Sequence, residues 1–496
     1  MVFPLKTPIL LLDFIKYILA YLIVLVNTFC YNFLVNHLIN LIRRMFMKKA
    51  YFDIVKEYEC DVLVAGGGVS GFSAAVCAAR LGARVILCDA SGMLGGTATS
   101  GLVGPFMTCY DHKGEKQIIK GFFNEVVDRL VAEGAAIHPS VCKNNMSYSG
   151  YRMKGHDGVT PFSSEKLLLL AEELCLEAGV KILYHSRVIG CECNNDRIEA
   201  VYISTPAGVE EIRAKNYIDT TGSASLAEKA GAEVVFGDEN GAVQTATTFF
   251  QITGVNKEAL DAHMRDNYEM RARFFMDEIE KARKEGKFPC GTPKLRIYET
   301  VDGIWKVNMA QQDDYFNDTD TESITKAEIY QRKQIPQLFD FLKNNIPGLE
   351  DIRLLNSASE IGIRESRRIV GKTVFTGDDA INSRYADEQI AVCSNSIDIH
   401  LKSEVKYVVC EKNYYIPFSC LVSKNIKNLL AAGKCLSADK YAFAAVRVMP
   451  PCFAMGEAVG IAAAIASKQR ISACDVNVKE IQKQIIDNGG YLELDS

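Results

Sequence analysis

Six residues, Gly66-Gly67-Gly68-Val69-Ser70-Gly71, constrain this chain more than any other part of it. An apolar stretch, Val62 to Ala65, leads straight into the glycines and reads as a short buried strand. From Ser70 the pattern turns helical, and a second apolar run, Ala83 to Cys88, closes on the acidic Asp89. Strand, glycine turn, helix, strand and acid in this order form a βαβ unit of the kind that cradles a dinucleotide. Gly66 permits the tight turn, Gly68 lets the backbone approach a pyrophosphate, and Gly71 lets helix and strand pack closely. The helix N-terminus, with Ser70 in its first turn, offers unpaired N–H groups and a positive dipole end to the phosphates. Asp89 falls where a carboxylate accepts hydrogen bonds from a ribose. Small Ala75 and helix-ending Gly82 stand where strand and helix must touch and part.

The residues just beyond Asp89 decide between nicotinamide and flavin. Gly95-Gly96-Thr97-Ala98-Thr99-Ser100-Gly101 is a second run of small residues, suited to lining the longer chain of FAD with bare backbone. Ser100 and Thr97 read as part of that loop and not as nucleophiles, because no Ser–His–Asp arrangement accompanies them. Far downstream, Asn428 to Gly433 reads as a buried strand ending in glycine, followed by a small-residue helix, Pro451 to Ala466. A helix that opens on proline is placed to aim its N-terminus at an anionic isoalloxazine ring. FAD is therefore the expected cofactor.

Three segments then resemble a known family. They are AGGGVSGFSAAVCAARLGARVILCDASGMLGGTATSGLVGPF, IGIRESRRIVGK (361–372) and NLLAAGKCLSADKYAFAAVRVMPPCFAMGEAVGIAAAIA. Together they resemble the FAD-dependent oxidoreductases grouped with the flavoprotein subunit of heterodisulfide reductase, over residues 59 to 468. The resemblance implies FAD contacts at Gly66, Gly68, Ser70, Gly71, Asp89, Gly95, Gly96 and Thr97, with others at Thr221, Gly222 and Gly433. It also implies hydride transfer between flavin and a small organic substrate. Two alternatives stay open: an electron-transfer subunit working with an iron–sulfur partner, and an unsaturated-carboxylate reductase. Larger relatives carry iron–sulfur clusters, but this chain has no CxxCxxCxxxC run; its one close pair is Cys191-Glu192-Cys193. No metal site is expected. One departure from the family pattern is Asp219-Thr220-Thr221-Gly222-Ser223-Ala224-Ser225, which keeps the strand-to-glycine turn and lacks the later acids.

The fold class expected is α/β: a Rossmann-like FAD domain of glutathione-reductase-like topology with an α+β cap. The FAD domain is discontinuous, in segments 58–105, 161–238 and 421–470. An insertion occupies 106–160, with an amphipathic stretch from Gly121 to Glu133 and a polar loop carrying Tyr148, Tyr151 and Arg152. A helix is expected from Ser163 to Gly179. After it comes an alternating polar–apolar run broken by Asn194-Asn195-Asp196 and Thr205-Pro206-Ala207-Gly208, which predicts a three-strand meander returning to the sheet at Tyr217-Ile218-Asp219. The cap, 239–420, contains two charged helices, Lys257 to Lys287 and Thr321 to Asn345, the second interrupted by Pro336. Residues 471–496 form a C-terminal tail.

Flavin carries the electrons, so side chains need supply only orientation, charge and one proton. Arg447, just before the last helix, is the first candidate to touch substrate or flavin. Arg364 and Arg368 share a face if IGIRESRRIVG is helical, and could clamp a carboxylate; an interdomain ion-pair cluster with Glu360 and Glu365 is the structural alternative. His400, in IDIH, is a candidate proton donor or a hydrogen-bonded structural histidine. Cys452, near a helix N-terminus, reads either as a stabilised thiolate or as a small packing residue.

Among 496 residues, 24% are charged and the net charge is −5, which gives no footing for nucleic acid. Sixteen cysteines, scattered through apolar patterns, fit a reducing cytoplasm. Residues 1–46 stand apart. Tyr17 to Ile42 contains no Lys, Arg, Asp or Glu, and Arg43, Arg44, Lys48 and Lys49 come directly after it. That reads as a transmembrane helix anchoring a cytoplasmic flavoprotein, or as translated sequence upstream of a true start at Met47.

Overall fold

The computed structural model describes residues 51–238, 241–266, 275–301, 303–312, 316–400 and 405–494. The chain divides into two units, Met1–Asp53 and Ile54–Ser496. The apolar segment from Tyr17 to Ile42, read as an anchor or as upstream sequence, lies outside the described residues.

The second unit is built on a parallel sheet. Strand β1 (Ile54–Ala65) runs into the glycine turn and helix α1 (Val69–Arg80), which returns to β2 (Val85–Cys88). β1 is longer than the apolar run predicts, because its exposed first half pairs with residues 209–214 of another strand. Helix α2 (Ser164–Glu177) is capped by the Ser163 side chain, as the sequence predicts, and leads to β3 (Lys181–Leu183) beside β2. The meander comes next as β4 (Arg187–Asn194), β5 (Arg197–Thr205) and β6 (Gly208–Asp219), antiparallel among themselves. β6 then lies parallel against β1, giving the order β3-β2-β1-β6-β5-β4, and a late strand, Leu429–Ala431, also pairs with β6. Alternation along β1 sends Val62 and Val64 into one core and Leu63 and Ala65 into the other.

A second, antiparallel sheet has the order β10-β7-β9-β8, from β7 (Thr247–Thr253), β8 (Ile297–Glu299), β9 (Trp305–Gln311) and β10 (Arg353–Ser357). Helix α3 (Thr321–Asn345) packs against this sheet and is not interrupted at Pro336. The proline stands on the exposed face, where the carbonyl it deprives of a partner meets water. On the inner face, Gln331 accepts from Thr248 Oγ1 at 2.9 Å, and Gln334 exchanges two bonds with the Gln311 backbone. Of the long charged helix expected from Lys257 to Lys287, Lys257–Asp266 and Met276–Lys284 are helical; residues 267–274 between them lie outside the described residues. Gln389–Cys393 and Tyr414–Pro417 pair with each other and contribute to the α1-side core of the first sheet.

The segment 361–372 is extended, and its strand Arg367–Ile369 pairs antiparallel with Val234–Phe236. Arg364 and Arg368 therefore do not share a helical face. Arg368 is buried against Glu365 at 2.7 Å and also donates to the carbonyls of Gly237 and Ala438, so half of the predicted pair is structural.

Helix α4 (Met449–Gln469) is long and apolar enough to cross a bilayer, yet it is the buried spine of this unit. It crosses α1 at near backbone contact. A Cβ on Gly456 would lie 2.3 Å from the Ser70 carbonyl, and one on Gly460 2.3 Å from that of Ala74. We expect Gly460→Val to force the helices apart and cost about 3 kcal/mol or more. Urea unfolding would check this, and an unchanged midpoint would show that the contact can relax.

Candidate active site

The nucleotide half of the site is made by backbone. Gly66, at φ +99°, brings its Cα so close to the β6 end that a Cβ would lie 2.5 Å from the Thr220 carbonyl. Asp89 holds this turn: its Oδ2 accepts from Gly67 N at 2.5 Å, and its Oδ1 from the N–H and hydroxyl of Ser91, each at 2.7 Å. Gly68 caps α1 without a side chain, leaving the first N–H groups of the helix to a ligand. A Cβ on Gly68 would meet no protein atom within 4 Å, so the turn opens on a cradle that a side chain would fill. The second glycine loop closes over it. Gly95 bridges Gly68, and a Cβ on Gly96 would lie 3.0 Å from Gly68 Cα. Thr97 fastens the loop through its carbonyl, which accepts from Val103 N at 2.8 Å.

Where the middle segment lacks the acids of the family pattern, Asp219 takes the load. It is fully buried and accepts from Thr221 N, Thr221 Oγ1 and Ala227 N, so the Thr221 hydroxyl is engaged within the loop. Gly222 and Gly433 both adopt positive φ, and the Gly433 Cα faces Ser70. The Ser70 hydroxyl donates to the Cys452 carbonyl at 2.8 Å, clasping α1 to α4. What Ser70 offers a ligand is its backbone N–H. Cys452 is buried, and burial pushes its thiol up to about 12, which favours the packing reading over a stabilised thiolate. The first turn of α4 has no capping side chain and no acid, and Pro450 stands within it.

The other half is polar side chain. Arg447 ends the short helix Lys440–Val446, two residues before α4, and its Nη2 donates to the Asp398 carbonyl at 2.9 Å and reaches Gln244 Oε1 at 3.4 Å. Arg364 Nη1 donates to the Thr245 carbonyl at 2.6 Å. Gln244 in turn accepts from the His400 N–H. His400 and Asp398 share one face of the strand Ile397–His400, with Nε2 and Oδ2 2.9 Å apart. Arg296, buried on the approach to β8, acts electrostatically on Arg364 and His400, and Arg152 acts on Arg296 and His156.

Burial, and then this crowding of cations, sets the protonation states. Burial, then the charges of Arg447 and Arg296, bring the Arg364 guanidinium down to about 9. Burial, then Arg364, bring the His400 imidazole down to about 3. Burial and Arg152 bring His156 to about 4. Burial alone would raise Asp398, but His400, Arg447 and Arg364 hold its carboxyl below the usual range. His400 is thus neutral beside an ionised Asp398. Its Nε2 must carry the proton, and Nδ1 is left as an acceptor. An imidazole held neutral in this way offers Nδ1 to a substrate as a fixed hydrogen-bond acceptor.

The sequence-predicted Arg447, Arg364 and His400 therefore come together, and the predicted glycines gather at a separate, backbone-lined cradle. Asp398, Arg296, His156 and Gln244 were not among the candidates. Asp398 alone carried a signal, its i, i+2 spacing from His400 on a strand. Among the described residues, no group of three or more His, Cys, Asp or Glu is disposed to hold a metal ion.

An α/β unit with a bare glycine cradle beside a polar cluster fits a dinucleotide-dependent oxidoreductase. The chain belongs to the FAD dependent oxidoreductase family, whose model matches residues 61–485, and FAD is its cofactor. The cradle fits that group, since backbone N–H donors and open space at Gly68 are what a pyrophosphate requires. Among curated proteins nothing matches this chain. Solved structures similar to it include a geranylgeranyl bacteriochlorophyll reductase-like protein from Thermoplasma acidophilum, at 14% identity over 88% of this chain and 84% of that one, TM-score 0.42. Another is p-nitrophenol 4-monooxygenase from Pseudomonas putida, at 13% identity over 88% and 85%, TM-score 0.43. A third is CabE, an aromatic hydroxylase from angucycline biosynthesis, at 12% identity over 87% and 68%, TM-score 0.44.

Proposed function

We propose that this enzyme transfers a hydride between FAD and a small organic substrate held at the Arg447–Arg364–His400 cluster. The observation that carries the reading is the position of Arg447. It stands two residues before α4, which Ser70 of the cradle clasps through the Cys452 carbonyl, while its guanidinium is bonded into the polar cluster. One short segment thus ties the two halves together. FAD, when bound, supplies the two-electron chemistry. The backbone of Gly66 to Gly71, Gly95, Gly96, Gly222 and Gly433 would hold it. Arg447 and Arg364 orient the substrate, and His400 Nδ1 accepts a hydrogen bond from it.

Within the family, the three motif segments support a kinship with the flavoprotein subunit of heterodisulfide reductase. The buried imidazole–carboxylate pair favours a stand-alone enzyme over a protein that only relays electrons, since a relay needs no oriented hydrogen-bond acceptor for a substrate. Purified protein should be yellow, and an anaerobic metabolite screen should find a small molecule that bleaches the flavin unaided. Reduction only through an added iron–sulfur protein would overturn the enzyme reading. Arg447→Ala should keep the flavin and lower kcat/KM roughly 10- to 100-fold, the loss of a charged hydrogen-bonding partner. Unchanged turnover would reduce Arg447 to a structural role.

A further inference from the structure

We propose that the arginine cluster is a recognition site for an organic carboxylate, so that the substrate of the flavin chemistry is an organic acid; this rests on the function proposed above. Two observations point to a missing anion. The first is a set of buried polar atoms without hydrogen-bond partners. Gln244 Nε2, Thr245 Oγ1, Arg296 Nη1 and Arg447 Nε are all orphaned, although each residue belongs to, or directly adjoins, the same cluster. Orphaned donors are rare in a folded interior because each costs its desolvation. Three of these four are N–H groups, and the fourth is a hydroxyl able to donate.

The second is charge. Arg296, Arg364 and Arg447 face one carboxylate, Asp398, whose Oδ2 is already bonded to His400 and lies 4.0 Å from Arg447 Nη2. Glu365, the other carboxylate that acts on Arg447, is bound by Arg368 and by Gln244 N. Buried cations in excess of their counter-ions are costly to the fold alone. A ligand carrying negative charge relieves that cost. Two of the four free atoms, Arg296 Nη1 and Arg447 Nε, lie on guanidinium groups, whose N–H vectors match the in-plane oxygens of a carboxylate. Arg296 is the sharpest probe, since it is 5% exposed, has an orphaned nitrogen, and is not needed to hold the nucleotide cradle.

The test is calorimetric titration of the FAD-loaded enzyme with sodium salts of mono- and dicarboxylic acids, each paired with its amide, and with sodium phosphate. At least one carboxylate should bind at least tenfold more tightly than its amide, and more weakly as salt is raised. Arg296→Met should weaken that binding roughly 10- to 100-fold. It should also raise the Tm of the ligand-free holoenzyme by about 1–3 °C, because it removes an uncompensated buried cation. A merely structural arginine would move Tm the other way. Should Arg296→Met fail to fold, Arg296→Lys keeps the charge, loses the fork, and should still lose most of the affinity. Carboxylates binding no better than amides, phosphate binding in their place, or an Arg296→Met enzyme less stable and unaltered in binding would each overturn the proposal. A yellow enzyme that is reduced by an uncharged substrate and ignores carboxylates would sink this inference alone; a protein that cannot hold FAD would sink the function on which it rests.

Discussion

Gly68→Val should yield a folded, colourless protein. The residue has φ −63° and ψ −179°, which a β-branched side chain adopts without strain, and its Cβ would meet no protein atom within 4 Å. The polypeptide therefore tolerates the change. The new methyl groups occupy the space in front of the α1 N-terminus, where the pyrophosphate must approach the backbone. Flavin content should fall at least tenfold while circular dichroism and the unfolding midpoint of the flavin-free protein stay unchanged. Gly71→Ala makes the informative contrast. Its Cβ would lie 1.8 Å from the Gly66 carbonyl and 2.8 Å from Thr220 Oγ1, so a single methyl breaks the junction of β1, α1 and β6. That variant should be destabilised by several kcal/mol and recovered mainly in inclusion bodies. If Gly68→Val bound FAD normally, the phosphates would lie elsewhere. If Gly71→Ala folded normally, the turn would be looser than the structure has it.

These glycines were legible in the sequence because their reason is steric and local. A tight turn, a close helix and a bare N-terminus leave residue types at fixed spacing. The meander was legible too, since three strands with one face buried must alternate. Where the sequence misled, tertiary contact was the cause. Pro336 reads as a break, but a helix held by Gln331 and Gln334 on its inner face tolerates a proline on the outer one. The segment from Ile361 to Lys372 has a helix-compatible arginine spacing, yet its pairing with Val234–Phe236 draws it out straight. The polar cluster was only half visible. Arg364, His400 and Arg447 stood out by residue type, whereas Arg296, Gln244 and His156 arrive from separate segments, and no spacing in the chain records that they meet. Asp398 could have been paired with His400 by strand alternation alone.

Lys306→Met should stabilise the flavin-free protein, most at neutral pH and least in alkali. Lys306 lies on β9 with no exposed surface, and its Nζ donates to Ser164 Oγ at 2.8 Å and sits 4.3 Å from the Phe162 ring centroid. No carboxylate pairs with it among the described residues. Burial brings its amine from 10.5 down to about 7. In the unfolded chain the amine keeps its ordinary value, so between about pH 7 and 10.5 the unfolded state holds more protons, and stability rises with pH across that window. The cost of the lysine is therefore complete below pH 7 and absent above 10.5. Methionine, of similar length and uncharged, removes it. The gain should be on the order of 3 kcal/mol at pH 7 and should shrink steadily by about pH 9.5. Urea unfolding of both proteins at the two pH values gives the difference directly, with all other titrating groups held in common. A variant destabilised equally at both would show that the ammonium is held by favourable contacts. The Ser164 hydroxyl that receives Lys306 donates in turn to the Ala98 carbonyl at 2.6 Å, in the second glycine loop.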